Sequence, residues 1–302
     1  MHRPEVLARL VADLRTQGAD HIAVTGDLVN LGMPSEHERG LRWLKELGRP
    51  ADVSVIPGNH DIYSPLWRDC GIGRWRAYMS GFGSDDGDCR EAVVSAGGGP
   101  DCFSGCVPSD RSDGRYSSFS PASFPYVRVL GKIALIGVNS AIPTKPGRAV
   151  GLVDHDQLGR LAKSLDELAR RRLFRVVMIH HPPLVGQARP RRALMNADEM
   201  EALLLTYGAE LVLHGHNHRN MLAWRTWEGQ SFPVVGVPSA SAAWSWHGEP
   251  LARYNLYDIS DLDGERRVEM IGRGVESGDG PVVELERRSI AAGAGEGAAN
   301  RS

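Results

Sequence analysis

Four short runs in this chain hold residue types that bind divalent metals and move protons. In order they are Gly26-Asp27, Gly58-Asn59-His60-Asp61, His180-His181-Pro182-Pro183 and His214-Gly215-His216-Asn217-His218. Together they supply a carboxylate, an amide and several imidazoles, a mixed oxygen and nitrogen donor set that suits Mn, Fe or Zn. Asn59, His60 and Asp61 follow Pro57-Gly58 directly, and three polar groups there are costly to bury without partners. Asn59 can offer a neutral carbonyl oxygen to a metal. The His60 imidazole can shuttle a proton, and Asp61 can orient it by a hydrogen bond. Taken singly the runs have plain readings: Gly26-Asp27 as a strand-to-loop turn, His180 and His181 as satisfied core histidines. Pro182-Pro183 stiffens the turn and fixes where the imidazoles point. Alternate residues of an extended segment face one way, so His214, His216 and His218 share one side unless Gly215 bends the chain.

The elements that must hold these runs are readable from periodicity. Pro4 to Gln17 carries Val6, Leu7, Leu10, Val11 and Leu14 at helical spacing, with Pro in the first turn and Gly18 as the stop. His21 to Thr25 is a short apolar run that reads as a buried strand ending in Gly26-Asp27. Glu36 to Leu47 reads as a helix and Asp52 to Ile56 as the next strand, so this is a βαβ unit with a parallel pair. Val127 to Leu130 and Ile133 to Val138 form a hairpin across Gly131-Lys132. Asp156 to Arg172 and Ala197 to Tyr207 are helices, and Phe174 to Ile179 and Glu210 to Leu213 are strands running into His180 and His214. Pro233 to Val237, Arg253 to Ile259 and Arg267 to Ile271 complete the strands. Asp27, Asn59, His180 and His214 to His218 thus all fall just past strand C-terminal ends, the edge at which open α/β sheets bind ligands.

Composition narrows the function classes. A chain of 302 residues, 42% hydrophobic and 24% charged, fits a globular protein with one large core. A net charge of −2 gives no basic footprint for a nucleic-acid polymer. No apolar run approaches the roughly 20 residues of a membrane span, and the first residues read as an amphipathic helix rather than a secretory leader, so a cytoplasmic location is expected. Cys70, Cys89, Cys102 and Cys106 cluster in one segment, and Cys102-x3-Cys106 has half the spacing of a zinc site, although reduced loop thiols are the better reading. Residues 80–123 are rich in Gly, Ser, Asp and Cys and read as an insertion: a lid, a partner surface or an unremarkable surface excursion. The single domain is expected over residues 1–276, with 277–302 as a disordered tail. Trp224, Trp227, Trp244 and Trp246 group late in the chain. Ordinary packing accounts for them, with Trp244 or His247 stacking on a base or sugar as the alternative.

The runs GD, GNHD, HHPP and GHNH, in this order, resemble the calcineurin-like metallophosphoesterase superfamily over roughly residues 4 to 272. The resemblance implies an α/β fold, a four-layer α/β/β/α sandwich of two mixed sheets flanked by helices, around a dinuclear metal site. It implies that Asp27 bridges two metals, that Asn59, His180 and His216 complete one site, and that His218 joins the other. It assigns phosphate contact and protonation of the leaving oxygen to His60, with Asp61 beside it, and leaves His181 lining the site. The implied reaction is attack on phosphorus by a water that two divalent metals acidify, on a small phosphoester substrate, most simply a nucleotide-type phosphodiester. Phosphomonoester hydrolysis is the near alternative, and a non-catalytic binding member of the same fold the distant one.

One motif of the family is not found. The family carries Asp-x-His at the end of a first strand, and no Asp-x-His occurs in this sequence. Asp27 and His218 alone are too few ligands for a second metal. Two readings follow: a natural start upstream of Met1, or a single-metal or inactive member, with His2 as a remote substitute ligand. About one tightly held metal per chain is expected. Without that strand a neighbouring backbone edge is exposed, and a version extended upstream should be the more stable.

Overall fold

The computed structural model describes residues 2–63, 69–81, 124–145, 147–245, 247–262 and 265–290. The cysteines at 89, 102 and 106, Trp246 and nearly all of the expected insertion lie outside them. The chain runs α1 (Pro4–Thr16), β1 (Ile22–Val24), α2 (Pro34–Leu47), β2 (Val53–Val55), β3 (Tyr126–Leu130), β4 (Ile133–Val138) and α3 (His155–Arg170). It continues through β5 (Phe174–Ile179), α4 (Ala197–Tyr207), β6 (Leu211–His214), β7 (Met221–Trp227), β8 (Gln230–Gly236), β9 (Arg253–Leu262), β10 (Glu265–Val275) and β11 (Val282–Ser289). A 3-10 helix over Gly71–Tyr78 packs Trp75 against α2.

The centre is a mixed sheet of six strands ordered β3-β4-β5-β6-β8-β7. Its middle strands are parallel, and antiparallel β3 and β7 close the two sides. Side-chain alternation splits its residues between two cores. Leu135, Val176, Met178, Leu211, Leu213 and Val235 enter one core with Val53 and Val55 of β2 and Val268 and Met270 of β10. Ile136, Val138, Val177, Ile179, Val212 and Val234 enter the other. There they meet Leu158, Leu161, Leu165 and Leu168, one stripe of α3, and Met200 and Leu204 of α4. The Asp154 side chain caps α3 by accepting from the Gln157 N–H at 2.8 Å. Both faces of the central strands are covered, which is why they read as continuous apolar runs.

The second layer of strands comes in two pieces. β1 and β2 pair in parallel, Ile22 opposite Val53, and β9, β10 and β11 form an antiparallel sheet ordered β11-β10-β9. α1 buries Val6 and Leu10 against Ala252 and Val275, and α2 buries Leu44 and Leu47 against the first core. The layers are therefore helix, sheet, sheet, helix, as the motifs imply. The Arg128 guanidinium, fully buried, fixes the end of β2 by donating to the carbonyls of Pro50 at 2.6 Å and Val53 at 2.8 Å.

Several expectations need correction. Residues 277–302 are not wholly tail: β11 pairs with β10 from Glu269 opposite Ser289 to Val275 opposite Val282. β7 is a strand that the sequence reading did not find. Trp227 lies under the Arg175 guanidinium and donates to the Thr206 carbonyl at 2.9 Å, so its place is in packing. β1 is less buried than its composition predicts. Ala23 is exposed and Ile22 and Val24 are half-buried, because one edge of β1 faces a cavity of about 1550 Å³. No strand ahead of α1 occurs among the described residues.

Candidate metal centre

The site is assembled where the loops after β1, β2, β5 and β6 meet. Two glycines let the first two loops touch. A Cβ on Gly58 would sit 2.1 Å from Asp27 Oδ1, and one on Gly26, at φ +96°, would sit 2.6 Å from the Gly58 nitrogen. Asp27 itself is left-handed at φ 58°, as are His216 at 64° and His218 at 53°. Non-glycine residues rarely adopt this conformation, and it recurs at functional sites.

Asp61 holds the loops in this shape. Its buried carboxylate accepts from the N–H groups of Gly58 at 2.7 Å, Asp27 at 2.9 Å and Val29 at 3.1 Å. Burial and the neighbouring Asp27 push its carboxyl up, while the three N–H donors favour its anion. Both oxygens are thus turned to the backbone, and the expected Asp61–His60 hydrogen bond is not made. His60 is oriented instead by Nδ1 on the Asn30 carbonyl at 2.7 Å and by an edge contact with Tyr63, ring centres 4.8 Å apart. A carbonyl partner requires Nδ1 to carry the proton, so Nε2 is the His60 atom left for exchange.

Four electron-pair donors converge beside these loops. His180 Nε2 lies 3.2 Å from Asp27 Oδ2, 3.2 Å from Asn59 Oδ1 and 3.2 Å from His216 Nδ1. Its other ring nitrogen sits 2.7 Å from the Thr25 carbonyl, which places the N–H there and turns the Nε2 lone pair inward. The Asn59 amide is held oxygen-inward because its Nδ2 donates to the Tyr63 hydroxyl at 2.8 Å. The ligand atoms of Asp27, His180 and His216 all lie within 4.8 Å of one another. With His180 neutral, its Nε2 lone pair faces the oxygens of Asp27 and Asn59, and a cation, either a proton on Nε2 or a metal, relieves that contact. The ionisation equilibria express this. Burial opposes an Asp27 anion, yet His180 and His60 hold its carboxyl well below the usual range. Burial likewise opposes a charged His180, yet Asp27 raises it. Burial and the charge on His180 push His216 far down, leaving it neutral as a ligand must be. The donor set therefore fits a divalent metal, which Asp27, Asn59, His180 and His216 would hold, with Thr25 and Tyr63 orienting two of them.

The other expected residues fall outside this group. His218 bonds through Nδ1 to Glu249 Oε2 at 3.1 Å, with the His2 ring 6.1 Å away. His214 ends β6, buried, with Nδ1 on the Gly215 carbonyl at 3.2 Å, and burial pushes it down to about 4. The three histidines of this run do not share one side. The Asn217 N–H turns back to the Gly215 carbonyl at 2.7 Å, and His216 and His218 are left-handed. The His181 ring centre lies 4.4 Å from that of His216, and its Nδ1 lies 2.8 Å from Ser140 Oγ. Arg192 and Glu249 were not foreseen. Arg192 donates to the His216 carbonyl at 2.7 Å and so fixes the left-handed turn. The basic run Arg189-Pro190-Arg191-Arg192, between two site elements, was the available signal. Trp244 is partly exposed beneath the Arg3 guanidinium, 5.3 Å from the ring centre.

Residues 1–220 match the calcineurin-like phosphoesterase family. A 64-residue stretch is 38% identical to a "Probable cyclic nucleotide phosphodiesterase" of Synechococcus sp., a match over 21% of this chain and 24% of that protein. The chain thus spans about a quarter of the length of that relative. A dimetal phosphatase from Danio rerio shares the fold, with a TM-score of 0.59 and 13% identity over 96% of this chain and 89% of the other. The chain belongs to the calcineurin-like phosphoesterase family.

Proposed function

We propose that this chain hydrolyses small phosphodiesters of the nucleotide type. The observation that carries the reading is the convergence of Asp27, Asn59, His180 and His216 on one point beside a His60 whose Nε2 is free to exchange a proton. A divalent metal bound there, Mn, Fe or Zn by its donor set, supplies Lewis-acid polarisation of the phosphoryl oxygen. The chain's own residues do the rest. Asp61 and the two glycines hold Asp27 and His60 in register, Tyr63 keeps the Asn59 oxygen inward, and the Asn30 carbonyl pins His60 so that Nε2 can protonate the departing oxygen. That proton transfer is worth on the order of 10²–10⁴ in rate. The preference for diesters over monoesters rests on the partial likeness to a protein named as a probable cyclic nucleotide phosphodiesterase.

The test is hydrolysis of bis-p-nitrophenyl phosphate and p-nitrophenyl phosphate with added Mn. The expected result is faster turnover of the diester, falling about 10²–10⁴-fold in His60→Ala. Absence of Mn-dependent turnover in protein that binds the metal would overturn the enzyme reading, and a faster monoester would overturn the substrate assignment. One observation favours a second reading, a single-metal or non-catalytic member: His218 is engaged with Glu249 and stands outside the convergent group. Metal analysis returning one ion per chain, without turnover, would support it.

A further inference from the structure

Two segments beside the metal centre carry charge of one sign. Residues 139–152 and 181–195 hold Lys145, Arg148, Arg189, Arg191 and Arg192 and no acidic residue, in a chain whose net charge is −2. The Ala149 N–H donates to the Arg191 carbonyl at 2.9 Å and the Gly151 N–H to the Ala193 carbonyl at 3.1 Å, which joins the two segments. Among the described residues none of the five cations is in an ion pair. Glu201, which accepts from the Val185 N–H at 2.8 Å, is already held by Arg225 at 2.6 Å. Three of the five cations sit on one turn. The Arg192 N–H closes it onto the Arg189 carbonyl at 2.8 Å, and Pro190 in its second position fixes the shape. The turn is pinned beside the ligand His216. Arg192 donates to the His216 carbonyl at 2.7 Å, and the Asn217 side chain donates to the Gln187 carbonyl at 2.8 Å. The Arg192 charge reaches His181, His216 and the Tyr63 hydroxyl, while Arg189 and Arg191 stay exposed. Guanidinium groups held on one turn without a counter-charge repel one another, and an anion placed among them relieves that repulsion.

We propose that this turn binds a second phosphate of the substrate: beyond the phosphoryl group at the metal, the substrate carries a further phosphate that Arg189 and Arg191 hold. The inference rests on the reading of the centre as a nucleotide phosphodiesterase, and it narrows the substrate to nucleotides phosphorylated at two positions. Arg192 is committed to the His216 carbonyl, so it sets the spacing between the two phosphates instead of binding the second one. The residue types specify the anion. A guanidinium presents its donors as a planar fork that pairs two oxygens at once. A phosphate monoester offers several oxygens and nearly two charges to the two forks, which a single carboxylate does not. An uncharged base or sugar would leave the repulsion within the turn unrelieved.

The test measures binding of thymidine 5′-monophosphate and thymidine 3′,5′-bisphosphate to the Mn-loaded chain by calorimetry. The bisphosphate is expected to bind about tenfold tighter, a modest figure because the two guanidinium groups are exposed to water. Arg189→Gln combined with Arg191→Gln should remove that difference and leave the affinity for the monophosphate little changed. Arg170→Gln combined with Arg171→Gln makes the same change of charge ahead of β5 instead of beyond its end, and should keep the difference. Equal affinities for the two nucleotides, a preference that survives in the Arg189 and Arg191 variant, or one that is lost equally in the Arg170 and Arg171 variant would overturn the proposal. The readout is binding, so its outcome is separate from that of the hydrolysis assay. Turnover without the preference refutes the second phosphate site alone, and the preference without turnover refutes the enzyme reading alone.

Discussion

Asp61→Asn asks what the buried carboxylate of the GNHD run does. The change keeps shape and removes charge. Asp61 Oδ2 accepts two backbone N–H groups, from Gly58 at 2.7 Å and Asp27 at 2.9 Å, and Oδ1 accepts one, from Val29 at 3.1 Å. The least damaging amide orientation keeps its oxygen at the Oδ2 position and turns the NH₂ toward the Val29 N–H. Two donors then face each other in a buried place, a loss of about 1–3 kcal/mol. The two surviving bonds change from charge-assisted to neutral and lose roughly half their strength, about 1 kcal/mol together. The sum is about 2–4 kcal/mol, which lowers the melting temperature by about 3–6 °C in a chain of this size. Thermal unfolding in chelator, so that metal binding does not contribute, measures it. Asp52→Asn is the control, since its partner Arg49 is a surface residue, 81% exposed at the side chain, and such pairs contribute about 0–1 kcal/mol. A melting temperature within about 2 °C of wild type for Asp61→Asn would refute the reasoning. If Asp61 instead acted by orienting His60, the loss would appear in kcat while stability stayed unchanged.

Tyr63→Phe removes the hydroxyl that holds the Asn59 amide oxygen-inward; metal affinity should fall about 10–100-fold with little change in fold, measured by titration with Mn. Gly58→Ala places a Cβ 2.1 Å from Asp27 Oδ1, so it should abolish metal binding by calorimetry while the far-UV circular dichroism of the six-stranded sheet persists. Arg273 donates two hydrogen bonds of 2.8 Å to Asp13 of α1 and thereby lowers the Asp13 pKa. A depressed carboxylate contributes stability above its unfolded pKa, near 3.9, that is lost as pH falls through the lower folded value. Asp13→Asn should therefore weaken urea resistance at pH 7 and flatten its decline below about pH 4, and an unchanged acid limb would contradict this.

Much of the fold was legible because its central strands are unusually plain. Phe174 to Ile179 is apolar throughout since Val176 and Met178 serve one core and Val177 and Ile179 the other. α3 shows its Leu158, Leu161, Leu165 and Leu168 stripe for the same reason. β11 was not legible. It is an edge strand of Val-Val-Glu-Leu-Glu-Arg-Arg-Ser, mostly exposed, and exposed strands lack the alternation that a buried face imposes. In the site, residue types identified the ligands, while backbone geometry decided which of them meet. His214, His216 and His218 have the same side chain and near-identical sequence context, yet left-handed turns at 216 and 218 send them to different places. The partners that orient the ligands, such as the Thr25 and Asn30 carbonyls, are backbone atoms, and backbone atoms carry no sequence signature.

Those left-handed residues bear on how the protein would change under selection. Asp27, His216 and His218 sit at φ values of 58°, 64° and 53°, where a side chain is held at a disadvantage of about 1–2 kcal/mol relative to glycine. A library selected for heat resistance alone should therefore accumulate Gly or Asn at these three positions, and lose metal binding as it does so. Selection for function would run the opposite way and hold all three. The stability optimum and the functional optimum of this chain thus lie at different sequences, and the distance between them is concentrated in three backbone angles beside the metal centre.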